Sequence, residues 1–257
     1  MHDPEARHEW VDFDFGATAL GSSFHRDWSD YADDALDHIA RRYGSEGDPA
    51  PLLLLVEDLL RLRDSGLGGE EIALLWEATD MSLGAPGTPG KEREWLQEVV
   101  SFVVPVARAR GASASSCSAF PACVPDGTSP AAIEHRRLTA DVVELVGTLD
   151  QQRPWSHVPL AAMRGALVRC AEEVCAELAF RFLLHAANGY WSRLAPETYD
   201  RLERLGTAFG YGPHVVDAIR HLVDRADRAD REAGGARPET RPADARNEGV
   251  EGNRAWR

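Results

Sequence analysis

Apolar residues recur at helical spacing along most of the chain, and no stretch alternates apolar and polar residues strongly enough to read as a strand. Ala32, Ala35, Leu36, Ile39, Ala40 and Tyr43 fall at steps of three and four. This spacing predicts an amphipathic helix opening at Ser29, with Ser29 or Asp30 as its N-cap. A second helix is expected over residues 51–64, where Leu52, Leu53, Leu55, Val56, Leu59, Leu60 and Leu62 form a broad apolar face and Pro51 suits the first turn. "DSGLGGEE" then reads as a turn into a third helix over 70–78. "MSLGAPGTPGK" breaks the chain before a fourth, over 92–106, striped by Trp95, Val99, Phe102, Val103 and Val106.

Residues 108–130, "RARGASASSCSAFPACVPDGTSP", are rich in Ser, Ala, Gly and Pro and read as a connector. Beyond it, Leu138, Val142, Leu145, Val146 and Leu149 mark another helix. A long pattern through Leu160, Met163, Leu167, Ala171, Val174 and Leu178 runs on into "FRFLLHAANGYW". Shorter helices are expected over 196–209 and 213–231. Residues 232–257 offer almost no apolar side chains to offset the entropy of ordering them, so a disordered tail is expected. The fold expected is all-α: two helical bundle-like regions, 1–107 and 131–231, joined by the connector and followed by the tail.

Composition sharpens this picture through charge. The 257 residues are 44% hydrophobic, enough for a substantial core, and carry a formal net charge of −14. Residues 1–110 hold 22 acidic and 10 basic side chains, so nearly all the excess acidity lies in the first half. Such a chain is repelled by nucleic acid and by anionic membrane surfaces, and attracts a basic partner. The apolar runs fall short of the ~20 residues that a membrane span needs, and the first residues lack the pattern of a secretory signal. A cytoplasmic location is the expectation. Four cysteines make no disulfide framework: Cys170 and Cys175 suit small core positions, and Cys117 and Cys123 in the connector could pair reversibly.

Candidate chemistry gathers at "FHRDW". His25 and Asp27 could in principle act as an acid/base pair, with Ser22 and Ser23 nearby in sequence. The alternative is structural: Phe24 and Trp28 anchor the segment while His25 and Asp27 satisfy the backbone of a turn. That anchor would present Asp30, Asp33, Asp34 and Asp37 as an array for a partner. His135, His157, His185, His214 and His221 follow no metal-ligand spacing, and no phosphate loop, dinucleotide fingerprint or nucleophile elbow occurs. Trp155, Tyr190, Trp191 and "FGYGPHVV" suit core positions. No cofactor, metal or enzymatic activity is expected.

Three stretches carry a resemblance: "FGATALGSSFHRDWSDYADDALDHI", "LLLVEDLLRLRDSGLGGEEIALLWEATDMSL" and "KEREWLQEVVSFV". Together, over residues 13–106, they resemble the small helical immunity proteins of bacterial contact-dependent growth inhibition systems. The matching positions are Phe24, His25, Asp27, Trp28, Ala35, Leu36, Leu59, Leu60, Ser65, Gly66, Leu67, Trp76, Trp95 and Leu96. Arg26 departs from the glutamine common there, as does the presence of a second helical region of similar size. The resemblance implies a non-enzymatic inhibitor that binds and neutralises a cognate toxin protein. Its acidity fits a toxin with a basic surface. The other class the sequence allows is a helical regulatory or scaffold protein that binds a ligand or self-associates through its second region.

Overall fold

In the computed structural model the residues described are 13–25, 27–44, 46–79, 90–112, 130–151 and 158–223. Ten α-helices form among them: α1 (Gly16–Ser23), α2 (Ala35–Tyr43), α3 (Ala50–Asp64), α4 (Gly69–Ala78), α5 (Glu92–Ala109), α6 (Pro130–Thr148), α7 (Leu160–Glu173), α8 (Ala176–Gly189), α9 (Pro196–Ala208) and α10 (Pro213–Asp217). A single 3₁₀ turn, Trp28–Asp30, lies between α1 and α2. The described chain contains no strand, as the periodicity predicts. None of these helices is long and apolar enough to cross a membrane. Cys117, Cys123, Trp155, His157 and the tail from 232 lie outside the described residues.

The leucine face of α3 is the centre of the first region. Leu52, Leu55, Leu59 and Leu62 are wholly buried, and each such side chain stabilises by about 1.5–3 kcal/mol. α3 packs on α5 and α1, α4 packs on α7 and α8, and α6 covers α7 and α8. One apolar cluster therefore runs from Ala17 to Leu222, so the two helical regions share a core. Polar clasps reinforce the junctions. Arg93 at the start of α5 donates to the carbonyls of Arg63, Ser65 and Leu67, closing the Ser-Gly-Leu turn. Arg169 of α7 reaches Glu71 of α4 at 2.6 Å. Cys170 and Cys175 are buried free thiols, as expected of small core residues.

Four boundaries differ from the sequence reading. α1 was not expected, because "GATALGSS" shows no apolar stripe; seven of its eight residues are buried, and small side chains let its backbone approach its neighbours. A Cβ on Gly21 would sit 2.1 Å from Thr79 Oγ1, which shows how close that approach is. The acidic helix opens at Ala35 rather than Ser29, with Asp34 as its cap. The long pattern from Leu160 is two helices: the amides of Val174 and Cys175 both bond the Cys170 carbonyl, and Cys175 turns extended (φ −171°, ψ 128°) before α8 restarts. Because both sides of the break are buried, the apolar pattern passes through it unchanged. The last helix expected, 213–231, is interrupted: α10 ends at Asp217, a turn spans 218–220, helix resumes over 221–223, and residues beyond 223 lie outside the described chain.

Candidate functional site

The "FHRDW" segment folds as an aromatic base under an acidic turn. Phe24 is 2% exposed and packs edge-on to Trp28 at 5.3 Å, beside Trp95 at 6.4 Å and His38 at 4.8 Å. These rings explain the 3₁₀ turn. Trp28 must fold back onto Phe24 and His38, so the amides of Trp28, Asp30 and Tyr31 bond the carbonyls three residues earlier instead of starting an α-helix. His25 and Asp27 are exposed, and the Asp27 amide donates to His25 Nδ1 at 3.4 Å. They hold the turn. The serines the sequence left open go to other histidines: Ser23 Oγ lies 3.0 Å from His38 Nε2, and Ser22 Oγ lies 3.5 Å from His185 Nδ1. Burial, then the positive charge of Arg42, lowers the pKa of His38 below the ordinary histidine value.

The four aspartates divide into two pairs. Asp34 caps α2, its carboxylate accepting the Asp37 amide at 2.8 Å. Asp37 binds Arg41 Nε at 2.7 Å and accepts the Asp33 amide at 3.0 Å, which lowers its carboxyl pKa. Asp30 and Asp33 keep their carboxylates exposed, and between them stands Tyr31, 65% exposed, on a largely exposed segment that Trp28 and Ala32 tie to the core. Tyr31 lies off the apolar stripe of residues 32–43, and periodicity assigns it no role. Over residues 27–48 there are seven acidic side chains against two arginines.

A second constellation, unseen in the sequence, lies inside the fold. Arg181 of α8 is 1% exposed and grips Asp58 of α3 with two parallel bonds of 2.9 and 2.8 Å. Its Nε meets Glu177 Oε1 at 2.8 Å, its Nη1 donates to the Phe15 carbonyl at 2.9 Å, and its Cζ lies 4.1 Å above the Phe15 ring. Asp58 also accepts the Ala17 amide at 2.9 Å. Arg61 adds contacts to Glu57, Asp58 and Glu177, and the Tyr211 hydroxyl donates to Glu177. Burial favours the neutral form of Glu177, but the charge and bonds of Arg181 with the charge of Arg61 outweigh it, and its pKa falls to about 2. Burial raises the Asp58 pKa, and Arg181 offsets only part of that rise. Gly16 is the companion of this network. It sits at φ +60°, and a Cβ there would lie 2.0 Å from Asp58 Oδ2. The available signal was a Glu-x-x-x-Arg pair set inside the apolar run "AELAFRFLLHAA".

Asp14, Ser22 and His185 form a third group. His185 Nε2 meets Asp14 Oδ2 at 3.0 Å, and Thr18 Oγ1 donates to Asp14 Oδ1 at 2.6 Å. The Ser22 hydroxyl donates to the Thr18 carbonyl at 2.9 Å, so the trio clamps the segment before α1 onto α8 instead of freeing an oxygen for attack. No group of three or more potential metal-ligating side chains converges among the described residues. Tyr190 is buried, with its hydroxyl on the Val158 carbonyl at 2.9 Å.

No family model, curated protein or solved structure matches this chain.

Proposed function

We propose that this protein is an immunity-type inhibitor that binds and neutralises a toxin protein carrying a basic surface. The observation that carries this reading is the exposed acidic turn bearing Tyr31, Asp30 and Asp33 on a fixed aromatic base. A tyrosine among carboxylates suits a surface of lysines and arginines: the carboxylates draw the partner in and the ring packs on aliphatic stems and guanidinium planes. The rigid base keeps the ordering entropy of binding low. The resemblance over residues 13–106 supplies the class of partner, and the net charge of −14 supplies its sign.

The test is protection. Cells expressing the toxin encoded beside this gene should survive when they co-express the protein, and the purified pair should form a one-to-one complex whose association rate falls steeply with salt. Cells that die regardless, or purified components that do not associate, would sink the reading. The scaffold alternative through the second region gains no support from α8, since eleven of its fourteen residues are buried within the chain.

A further inference from the structure

The described surface carries an apolar groove that the internal packing leaves open. It lies between α2, α3 and α5, lined by Ile39, Ala40, Tyr43, Leu52, Phe102 and Val106, with a volume of about 400 Å³. That is within the ~300–1,000 Å³ range of ligand pockets. Pro105 also lines it; lacking an N–H, it cannot donate to the Ser101 carbonyl one turn back within α5. The groove shares α2 with the acidic turn: Asp34 caps the helix, and Ala40 on the groove wall stands about 7.5 Å of helical rise beyond its first residue, Ala35.

We propose that this groove is the anchor of the toxin interface: it takes one bulky apolar side chain from the partner, while basic side chains lie over Asp30 and Asp33 beyond the N-terminal end of α2. This rests on the immunity reading and names the surface it uses. Charge selects the occupant. Three arginines stand at the groove's end, Arg41 paired with Asp37 at 2.7 Å, Arg42 over the Tyr43 ring at 5.7 Å and Arg110 donating to the Gly44 and Asp48 carbonyls, and the seven acidic side chains of residues 27–48 outnumber them. An apolar side chain flanked by lysine or arginine is drawn to this surface, and one flanked by carboxylates is repelled. An apolar anchor in a desolvated pocket beside a charged rim is the arrangement that concentrates binding energy at protein interfaces.

The experiment is titration calorimetry of the full chain with the purified toxin encoded by the adjacent gene, comparing wild type with Ala40→Gln and Ala109→Gln. Both replacements are neutral and sit on half-exposed or exposed groove walls, so they fill the groove without altering charge or core. The expected result is at least tenfold weaker binding for Ala40→Gln with an unchanged thermal midpoint. A Leu/Lys amphipathic peptide should compete with the toxin on wild type, and its Leu/Glu counterpart should not. Wild-type affinity in both variants overturns the groove as anchor while leaving the immunity reading standing. Absence of wild-type binding overturns both. A concentration-dependent dimer of the free chain that Ala40→Gln abolishes would overturn the proposal in favour of a second copy as occupant.

Discussion

Replacing Arg181 with methionine keeps most of the aliphatic stem and removes the guanidinium from between Asp58 and Glu177. Asp58 then loses both charge-assisted bonds at 2.8–2.9 Å, Glu177 loses its bond at 2.8 Å, and the Phe15 carbonyl loses its donor. Arg61 compensates only in part, since its Nη1 stands 3.7 Å from Asp58 and 3.5 Å from Glu177 while its other arm holds Glu57. Stranding one partner of a buried pair costs about 3–5 kcal/mol. Set against a total stability of about 5–15 kcal/mol for a folded protein, that is a large share. Urea denaturation followed by circular dichroism would report it as a lowered midpoint with little change in slope. Because the loss comes from uncompensated charge, the triple variant Asp58→Asn, Glu177→Gln, Arg181→Met should recover at least about 1–2 kcal/mol relative to the single variant. A single variant that loses less than about 1 kcal/mol, or a triple variant no better than the single, would refute the reasoning.

Gly16→Ala forces a left-handed backbone on alanine and drives its Cβ into the Asp58 carboxylate, so a loss of at least about 2 kcal/mol is expected in the same urea assay. Phe24→Ala removes the ring on which Trp28, His38 and Trp95 all rest and should cost about 3–5 kcal/mol by thermal or urea melting. The Glu177 carboxyl titrates near 2 in the folded chain against an ordinary 4.5, so its stabilisation is full above 4.5 and is lost as pH falls through about 2; Asp14, also lowered, acts in the same direction, and Asp58, raised, opposes them. Glu177→Gln should flatten this acid limb of the urea midpoint against pH, and an unchanged limb would count against the assignment. His38 has a lowered pKa, so the unfolded chain takes up its proton first and stability is lost as pH drops below about 6.5; wild type and His38→Gln compared at pH 7.5 and 5.5 should diverge.

What the sequence reveals follows from which interactions are local. The faces of α3, α5 and α7 are legible because each has one wet side, and apolar spacing records that directly. α1 is illegible for the opposite reason: buried nearly all round and made of small residues, it has no contrast to record. The packing of Phe24 and Trp28 is legible from their size and position. The division of the aspartates is not, since Asp34 as cap and Asp37 as Arg41 partner depend on where α2 begins. Arg181 and Asp58 are far apart in sequence, and nothing in a linear pattern pairs them. The connector and the changes of composition around it suggest two regions, yet α4 against α7 and α8 merges their cores. Composition senses chain flexibility and is blind to docking.

Asp58 and Arg181 stand 123 residues apart. During synthesis at about 5–20 residues per second, roughly 6–25 s separate their emergence from the ribosome. Until Arg181 emerges, the cationic partner within reach of Asp58 is Arg61, one turn along the same helix, and the paired bonds of the guanidinium of Arg181 are missing. The buried network is therefore completed only late in synthesis, whereas the acidic turn and the groove beside it draw on residues 24–109.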